Sequence, residues 1–442
     1  MKALTFKGGV HPLHKLHEGK PLAQNAALKE YAAATVVLPK SQHIGAPCTP
    51  CVEVGDEVLM GQVVGTPGGF VSAPIHASVS GKVVAVEPRP HLSGKDVMAV
   101  VIENDFRDAL DPSVKPKGTV DSLSAEEIRQ IILDAGIVGM GGAAFPTHVK
   151  YALKPDQKAD YLILNGAECE PYLTSDHRTM IETPERVVEG ARLLLKASGA
   201  PVCKIGIENN KPDAIKAIRE AAKPYKDIEV VELMTKYPQG GEKQLIKAVT
   251  GREVPRGGLP IAAGCIVSNV STAAATADAV LKGLPLVKRA VTVTGAVNTP
   301  CNLVLRFGTS YEDAINQAGG FKGDPKKVIS GGPMMGFAVN RLDIPVTKGT
   351  SGLTVFSAAE DVETKESNCI RCGRCVSVCP IGLQPFKLDA ASRKKDVEVL
   401  KQCDVMSCIN CGCCTYVCPA KRNLAQNIAL GKGVYTQATK KK

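Results

Sequence analysis

Sixteen cysteines occur in the 442-residue sequence, and eight of them form two copies of one spacing near the carboxyl end. Each copy has the order Cys-x2-Cys-x2-Cys-x3-Cys-Pro, and the copies begin at Cys369 and Cys408. This spacing is typical of bacterial 4Fe–4S sites, in which three closely spaced thiolates hold one cluster. Disulfides or paired structural zinc ions fit less well, because zinc sites use two Cys-x2-Cys pairs. The pattern predicts two 4Fe–4S clusters and one-electron chemistry.

The fourth cysteine of each copy is predicted to ligate the cluster of the other copy. The two predicted ligand sets are Cys369, Cys372, Cys375 and Cys418 for the first cluster, and Cys408, Cys411, Cys414 and Cys379 for the second. The register favours Cys414 as the ligand and leaves its neighbour Cys413 as the alternative. Such a module only carries electrons, so another centre in the chain must supply or remove them.

A glycine-rich segment that ends at Lys150 is the second feature with chemical potential. Its Gly139-x-Gly141-x-x-Ala144 order matches a dinucleotide fingerprint, but that fingerprint follows a strand and opens a helix. Here a predicted helix precedes the glycines and Pro146 interrupts the segment after them, so a Rossmann site is rejected. Consecutive glycines still let backbone N–H groups approach an anion or a flat ring, and a lysine can pair with a phosphate.

Composition limits the class of protein. Glycine and proline number 42 and 29, and aromatic residues make up 4% of the chain, which favours a loop-rich α/β protein. The formal charge of +10 overstates the basic excess, because the ligand thiolates are anionic. That excess suits an acidic redox partner, an anionic membrane face or simple solubility better than nucleic acid. We expect no signal peptide and no membrane-spanning segment, and oxygen-sensitive clusters favour a reducing compartment.

Residues 1–34 are predicted to form an extended arm, followed by short β-rich runs separated by glycine-containing turns. The phrases Val54–Val64 and Ala73–Val83 resemble the barrel-sandwich hybrid of biotinyl and lipoyl carrier domains. Carrier domains present a modified lysine between these phrases, whereas Gly65–Ser72 contains none. Residues 35–115 are therefore predicted to be an unmodified barrel-sandwich hybrid.

Helical and strand patterns alternate over residues 120–287. A capping box, Ser124–Glu127, opens an amphipathic helix. The apolar run Tyr161–Leu164 indicates a buried strand, and strands near Cys203–Glu208 and Ile228–Met234 flank a further helix. This alternation predicts a mainly parallel sheet with helices on its faces.

Residues 288–345 have a strand–strand–helix–strand order that resembles a β-grasp domain of the SLBB type. A polar linker is predicted over 346–368 and a helical, ferredoxin-like cluster domain over 369–442. Between the two cysteine motifs, Pro385–Lys401 is long enough for one helix. The predicted fold class is thus a multidomain α/β protein.

Two smaller motifs carry less weight. Cys48-Thr-Pro-Cys51 lacks a second ligand pair, so a structural role is preferred to redox or metal chemistry. His11, His14 and His17 are evenly spaced, but no carboxylate or cysteine lies among them, so arm packing is preferred to metal binding.

Five motifs between residues 120 and 285 are similar to the NADH-binding flavoprotein subunit of respiratory complex I. They are Gly139–Lys150, Asn165-x-x-Glu168-x-Glu170-Pro171, Tyr237–Glu242, Pro255-Arg256…Pro260 and Ser268–Thr272. Three further segments narrow the resemblance to one family: Phe6-Lys-Gly-Gly-Val-His11-Pro, Leu38–Pro47 and the tandem cysteine motif. The whole chain resembles the family of C subunits of the Rnf ion-translocating electron-transport complexes.

This resemblance implies non-covalent FMN and NAD(H) as substrate. The implied FMN residues are Gly139, Gly141, Gly142, Lys150, Asn165, Gly240, Asn269 and Thr272, and the implied NADH residues are Phe145, Glu168, Glu170 and Glu242. No catalytic residue beyond the cofactors is implied. The chain departs from the complex I pattern at Ala167, where that pattern has aspartate, and at Ser268, where it has asparagine.

A hydride donor gives two electrons whereas each cluster takes one, and a flavin can exchange both ways. The resemblance therefore implies a reversible NADH-oxidising subunit of a membrane ferredoxin:NAD oxidoreductase. It would lie peripherally on the cytoplasmic face, beside an iron–sulfur partner subunit and, indirectly, ferredoxin. Two alternatives stay open, a microcompartment cobalamin reductase and a pure electron-wiring subunit with a vestigial flavin domain. Electron direction, the coupling ion, the complex's stoichiometry and the role of Cys403 are not determined by the sequence.

Overall fold

A computed structural model describes residues 3–11, 19–360 and 365–440. His14 and His17 of the histidine series, Asp361 and Glu363 of the predicted linker, and Lys441 and Lys442 lie outside these residues. His11 is described, and its Nδ1 lies 3.2 Å from the Thr235 carbonyl oxygen. None of the helices in the described ranges is both long enough and apolar enough to cross a bilayer.

The amino-terminal arm joins three parts of the molecule. Leu4 bridges Leu233, and Val10 bridges Tyr237. The Gly9 amide donates to the Val378 carbonyl at 2.8 Å, within the first cysteine motif. The arm also contains strand β1 (Leu28–Tyr31), which the sequence did not predict.

The barrel-sandwich part has two antiparallel sheets, ordered β2-β8-β7-β4 and β3-β5-β6. Its strands are β2 (Thr35–Pro39), β3 (Thr49–Pro50), β4 (Glu57–Val58), β5 (Val63–Thr66), β6 (Ile75–His76), β7 (Gly81–Pro90) and β8 (Asp96–Asn104). Alternating apolar residues such as Val36 and Leu38 face the core between the sheets. The segment Gly65–Ser72, where a carrier domain would present its lysine, lies against the α/β part, because His148 Nε2 is 3.1 Å from the Phe70 carbonyl oxygen.

The α/β part contains a four-stranded parallel sheet in the order β11-β10-β9-β12. Its elements are α1 (Ala125–Asp134), α2 (Thr147–Tyr151), β9 (Tyr161–Gly166), α3 (Ser175–Glu182), α4 (Pro184–Ser198), β10 (Cys203–Glu208), α5 (Pro212–Ala222), β11 (Ile228–Leu233), α6 (Glu242–Thr250), β12 (Cys265–Asn269) and α7 (Val270–Leu281). Both bonds of the predicted capping box at Ser124 are present. Helix α4 crosses α7 closely at Gly190, where a Cβ would lie 1.9 Å from the Ala273 carbonyl oxygen.

A six-stranded mixed sheet in the order β1-β14-β13-β17-β15-β16 forms the β-grasp part. It comprises β13 (Lys288–Gly295), β14 (Cys301–Arg306), α8 (Tyr311–Gln317), β15 (Pro325–Ser330), β16 (Phe337–Val339) and β17 (Gly352–Ser357). The predicted linker over 346–368 is wrong in its first half, since β17 lies between β13 and β15 with Leu353 and Val355 fully buried. The prediction of an extended arm over residues 1–34 missed one strand, because β1 joins this sheet by pairing in parallel with β14.

The carboxyl-terminal part is helical, with α9 (Arg374–Ser377), α10 (Pro385–Lys394), α11 (Val397–Gln402), α12 (Cys413–Tyr416) and α13 (Leu424–Lys440). The single helix predicted over Pro385–Lys401 is wrong. Lys395 adopts a left-handed conformation with φ +55°, which ends α10, and the Asp396 side chain caps α11. Packing of α10 and α11 on α13 buries Leu388, Leu400 and Ile428.

Candidate functional site

Two cavities in the helical part are lined by the eight cysteines of the repeated motif. One cavity is lined by Cys379, Cys408, Cys411 and Cys414 together with Cys413, and the other by Cys369, Cys372, Cys375 and Cys418. The fold therefore brings together the four side chains that the sequence assigned to each cluster. Among the described residues, no three His, Cys, Asp or Glu side chains converge closely enough to hold a single metal ion.

The two cysteine sets differ in exposure. Cys369 and Cys372 are exposed, whereas Cys411 and Cys414 are buried. Burial raises the pKa of the Cys414 thiol to about 12, so this thiol needs a bound cation to become a thiolate ligand near neutral pH. The first set, which contains two exposed thiols, is called the outer set, and the second, which has no exposed member, is called the inner set.

The second cysteine set packs against the α/β domain. Val10, Tyr237, Cys411 and Cys413 form one buried cluster. Cys413 Sγ lies 3.9 Å from the Tyr237 carbonyl oxygen, while Gln244 Nε2 donates to the Pro380 carbonyl at 3.4 Å. Cys413 is therefore placed between the second cysteine set and the turn that begins at Tyr237.

The carboxyl ends of β9 and β12 form the switch point of the parallel sheet. From β9 the chain moves to β10 and β11 on one side, and β12 returns to the other side. Asn269 is the last residue of β12, and it is paired in register with Asn165, the second-last residue of β9. Ligands of open α/β sheets bind in the crevice outside such a point.

The glycine loop lies over this switch point and is anchored at its base. The Gly139 amide donates to the Phe145 carbonyl at 2.8 Å, which closes the loop. The Met140 amide donates to Thr272 Oγ1 at 2.9 Å, and the Met140 carbonyl accepts from Arg289 Nη2 at 2.9 Å. The base of the loop is therefore held by both α7 and the β-grasp sheet.

The apex of the loop is open. Gly141 and Gly142 are exposed, and a Cβ at Gly142, whose φ is +158°, would meet nothing within 4 Å. At Gly141 a Cβ would come within 3.0 Å of the Asn269 amide nitrogen, so only glycine lets the loop approach this residue without a shift. Glycines at an open apex and a tight base suit a flat ring or an anion lying against the loop.

Lys150 and Glu242, which the resemblance placed on the FMN and NADH sides, meet directly. Lys150 Nζ lies 3.2 Å from Glu242 Oε1 and donates to the Val267 carbonyl at 2.9 Å. Both side chains are partly exposed, so this surface pair contributes little to stability. The lysine can therefore exchange this partner for a phosphate at small cost.

The remaining predicted FMN residues hold the scaffold together. Asn165 Nδ2 donates to the Gly240 carbonyl at 2.9 Å, and the Gly240 amide donates to Cys169 Sγ at 3.2 Å. The Asn269 side chain caps α7 and donates to Asp176 at 2.6 Å. These contacts fix the two strand ends and the Tyr237–Gly240 turn relative to one another.

Glu168 and Glu170 have structural partners in this structure. Glu168 accepts from the Asp176 and His177 amides at 2.7 and 3.2 Å and so caps the start of α3. Glu170 Oε1 accepts from the Met334 and Met335 amides at 2.6 and 3.0 Å, and burial raises the pKa of its carboxyl group. The two carboxylates thus fasten the loop after β9 rather than joining Glu242.

Sequence reasoning missed several residues that build the site. Lys20 is buried, and its ammonium donates to the carbonyl oxygens of Glu168, Glu170 and Leu173 at 2.8, 3.1 and 2.6 Å. Burial lowers the pKa of Lys20. Asp176 accepts from Asn269 and Ser271, and burial raises the pKa of Asp176 to about 6. No local pattern marks Lys20, whereas Asp176 follows the Glu-x-Glu-Pro motif closely enough to have been considered.

The residues present fit a flavin and two iron–sulfur clusters. In the Tyr237–Gly240 turn, the Gln239 side chain is fully buried with neither amide atom hydrogen-bonded within the described part of the chain. Asn165 holds this turn through the Gly240 carbonyl, so the unpaired amide nitrogen and amide oxygen of Gln239 lie beside the switch point. Each of the two cavities has the four thiols that a 4Fe–4S cluster needs, and Cys413 adds a fifth thiol at one of them.

Four family models match the chain. They are described as the RnfC barrel sandwich hybrid domain over residues 4–107, the Nuo51 FMN-binding domain over 132–296, the SLBB domain over 290–338 and the 4Fe-4S dicluster domain over 368–421. Together with the sheets described above, these matches confirm the predicted fold class. They also support the predicted cofactors, FMN and two 4Fe–4S clusters.

Full-length relatives carry closely related names. The chain is 52% identical over 429 residues to the C subunit of the Na(+)-translocating ferredoxin:NAD(+) oxidoreductase complex of Acetobacterium woodii, covering 97% of this chain and 96% of that one. It is 48% identical to the C subunit of the proton-translocating complex of Clostridium ljungdahlii, covering 96% and 92%. It is 41% identical to the C subunit of the ion-translocating oxidoreductase complex of Rhodobacter capsulatus, covering 100% and 85%.

A comparison with solved structures also shows the fold. A chain of an NAD+-reducing NiFe-hydrogenase in the H2-reduced state superposes with a TM-score of 0.51 at 19% identity, over 73% of this chain and 64% of that chain. At this identity the likeness concerns the fold alone.

Proposed function

Because the chain belongs to the family of C subunits of the ion-translocating ferredoxin:NAD(+) oxidoreductase complexes, we propose that it is the NADH-oxidising subunit of such a complex. It is an oxidoreductase component that exchanges electrons between NAD(H), FMN and two 4Fe–4S clusters, in either direction. Its partners are the other subunits of this membrane-associated assembly. One observation carries the proposal: the second cysteine set packs on the Tyr237–Gly240 turn, which Asn165 holds at the switch point of the sheet.

The chain's own residues bind and orient the cofactors. Gly139, Gly141 and Gly142 would lie against FMN, Lys150 would meet its phosphate, and Gly240, Asn165, Asn269 and Thr272 would shape the floor. Phe145 and Glu242 would contact NADH, while Glu168 and Glu170 would shape that side by fastening α3 and the Met334 turn. Cys369, Cys372, Cys375 and Cys418 would hold one cluster, and Cys408, Cys411, Cys414 and Cys379 the other.

Bound FMN would accept the two electrons of a hydride together and release them singly, or do the reverse, and the clusters would carry them one at a time. The protein's part is to hold the loop rigid at its base and open at its apex, so that nicotinamide can approach an ordered ring. The inner set has no exposed member, so its cluster would be the more shielded from water, while Cys369 and Cys372 of the outer set face solvent.

The partner and the location are finer parts of the proposal. We place an iron–sulfur partner subunit at the outer cysteine set, with ferredoxin reached indirectly, and the chain on the cytoplasmic face. Exposure of Cys369 and Cys372 supports an outward electron exit on this side of the chain.

The function is tested by purifying the full chain anaerobically, restoring FMN and the clusters, and adding NADH. We expect NADH to bleach the flavin absorbance. If flavin binds with full occupancy but NADH never bleaches it, the dehydrogenase function is wrong and the chain is an electron-wiring subunit.

Replacing Lys150 with Ala should lower FMN affinity. Loss of a charged hydrogen bond costs about 1.5–3 kcal/mol, which is roughly a tenfold to hundredfold rise in the FMN dissociation constant. The measurement is a fluorescence titration of cluster-loaded apoflavoprotein with FMN. Lys247→Ala, which removes a lysine paired with Glu253 beyond the end of the same helix as Glu242, is the control and should change nothing. Unchanged affinity in Lys150→Ala would remove this residue from the site.

A further inference from the structure

Two cysteines of the outer set, Cys369 and Cys372, lie in a loop, residues 365–374, that is exposed along its whole length. Ile370 is 66% exposed at its centre, between the exposed ligands Cys369 and Cys372. Two arginines, Arg371 and Arg374, follow this isoleucine and line the same cavity as the cysteines. We name Ile370, Arg371 and Arg374 the basic rim.

The internal repeat offers a comparison for the basic rim. Arg371 and Arg374 correspond by motif position to Asn410 and Cys413 of the second copy. Arg371 and Asn410 share the same left-handed backbone, with φ +55° and +54°, so the two loops have matching geometry. The copy packed inside the protein is neutral at both positions, whereas the exposed copy is cationic. Cluster binding therefore does not require the arginines, and their presence follows the exposure of the loop.

The charges of the basic rim are not compensated by neighbouring acids. Within residues 3–11, 19–360 and 365–440, neither guanidinium group forms an ion pair. Glu366 is the acidic residue of the 365–374 loop, and its carboxylate is bound by Arg393 at 2.7 Å and by the Asn423 amide at 2.7 Å. Lys421 is also exposed, immediately after the Cys418-Pro-Ala segment that closes the cavity. The face around the outer cluster position is thus positive with an apolar centre.

We propose that the basic rim is the docking surface for an acidic one-electron carrier protein, and this proposal rests on the function proposed above. Positive charge around a redox centre steers an acidic partner to it and fixes the orientation of the encounter, while a small apolar contact brings the centres together. In the exchange, one electron leaves the reduced outer cluster and enters the oxidised one-electron centre of the partner. No bond forms or breaks and no proton moves, so each event balances with one electron.

The test uses two one-electron proteins of opposite charge as acceptors. The full chain, loaded with FMN and both clusters, is reduced with NADH and mixed with acidic cytochrome b5 or with basic cytochrome c. In the wild type, the rate of cytochrome b5 reduction should fall steeply as salt is added. The double variant Arg371→Glu and Arg374→Glu should slow cytochrome b5 reduction by about tenfold or more and accelerate cytochrome c reduction.

A matched variant controls for net charge. Lys82→Glu with Lys95→Glu makes the same change in net charge at exposed positions of the barrel-sandwich part, and should leave both rates unchanged. NADH bleaching of the flavin, followed in the same samples, should be equal in all variants. Absence of bleaching in the wild type would contradict the proposed function itself. If a variant bleaches normally and has normal iron content, its cofactors are intact, and any change in cytochrome rate comes from the altered surface.

Two outcomes would overturn the docking surface. If the basic rim only stabilises the anionic outer cluster, reversal of its charge would change both cytochrome rates in the same direction. If the rim instead meets an anionic membrane, the variant would lose binding to phosphatidylserine vesicles while the ratio of the two cytochrome rates stays that of the wild type.

Discussion

Replacing Cys379 with Ser should remove the cluster of the second motif and leave that of the first, although Cys379 belongs to the first motif in sequence. In the structure Cys379 lines the cavity of Cys408, Cys411 and Cys414. We expect iron content to fall from about eight to about four atoms per chain, because each 4Fe–4S cluster needs four ligands. The inner cluster position would then be lost, so NADH should bleach the flavin but no longer reduce the outer cluster.

The identity of the missing cluster can be read from electron paramagnetic resonance spectra. The spectrum of reduced Cys379→Ser should match that of Cys411→Ala and differ from that of Cys372→Ala. Cys418→Ser should show the reverse pattern, because Cys418 lines the other cavity. Cys403→Ser is the control, since Cys403 lies outside the lining of both cavities. A Cys379→Ser spectrum that matches Cys372→Ala would mean that each motif holds its own cluster.

Replacing Arg289 with Met should weaken FMN binding strongly, although Arg289 belongs to the β-grasp sheet. This guanidinium is buried and donates to the carbonyl oxygens of Lys348 at 2.6 Å and Met140 at 2.9 Å. Burial lowers the pKa of Arg289 to about 10, so the side chain remains charged at neutral pH. Its loss would leave two buried carbonyls unsatisfied, at about 1–3 kcal/mol each, and release the base of the glycine loop.

Beneath Arg289, a second buried cation fixes the same region. Lys348 Nζ donates to the Pro74 and Gly136 carbonyl oxygens, both at 2.7 Å, and so links the barrel-sandwich part to the end of α1. Burial lowers the pKa of Lys348 to about 7. A neutral amine still has two N–H groups, which is enough for these two acceptors. The barrel-sandwich, α/β and β-grasp parts therefore meet below the glycine loop.

The Arg289→Met effect is measured as the FMN dissociation constant, which we expect to rise by about tenfold or more. Arg289→Lys keeps a charge and some donors and should give an intermediate value. Arg306→Met is the matched control, because Arg306 is also buried in this sheet but contacts Asp108 and Met60 instead of the loop. Arg306→Met should lower the midpoint of thermal unfolding without changing FMN affinity. If both variants lost FMN affinity equally, Arg289 would stabilise the fold in general and would have no specific role at the glycine loop.

Features with strong local patterns were predictable from the sequence. The cysteine spacing predicted two ligand sets, and the structure gathers each set around one cavity. The capping box at Ser124 and the apolar run at Tyr161 predicted α1 and β9, since both depend on neighbouring residues alone. The resemblance predicted that the glycine loop binds FMN. The physical reason for a ligand site there is that the loop lies at the switch point of the parallel sheet.

Features that depend on distant partners were not predictable. The arm strand β1 exists because the edge of β14 accepts it, and β17 exists because β13 and β15 lie on either side. Lys20 and Arg289 look like ordinary surface cations in sequence, and only the fold shows that backbone carbonyls surround them. Tertiary contacts thus decided the roles that local propensity left open.

We propose that electrons pass from NADH through a flavin to an inner cluster, held by Cys379, Cys408, Cys411 and Cys414, and then to an outer one. The most direct measurement mixes the loaded chain with NADH and freezes samples at successive times for electron paramagnetic resonance. We predict flavin bleaching first, then the signal that Cys379→Ser lacks, and last the signal that Cys418→Ser lacks. Appearance of the outer signal before the inner one, or reduction of the clusters in a flavin-free sample at the same rate, would contradict this account.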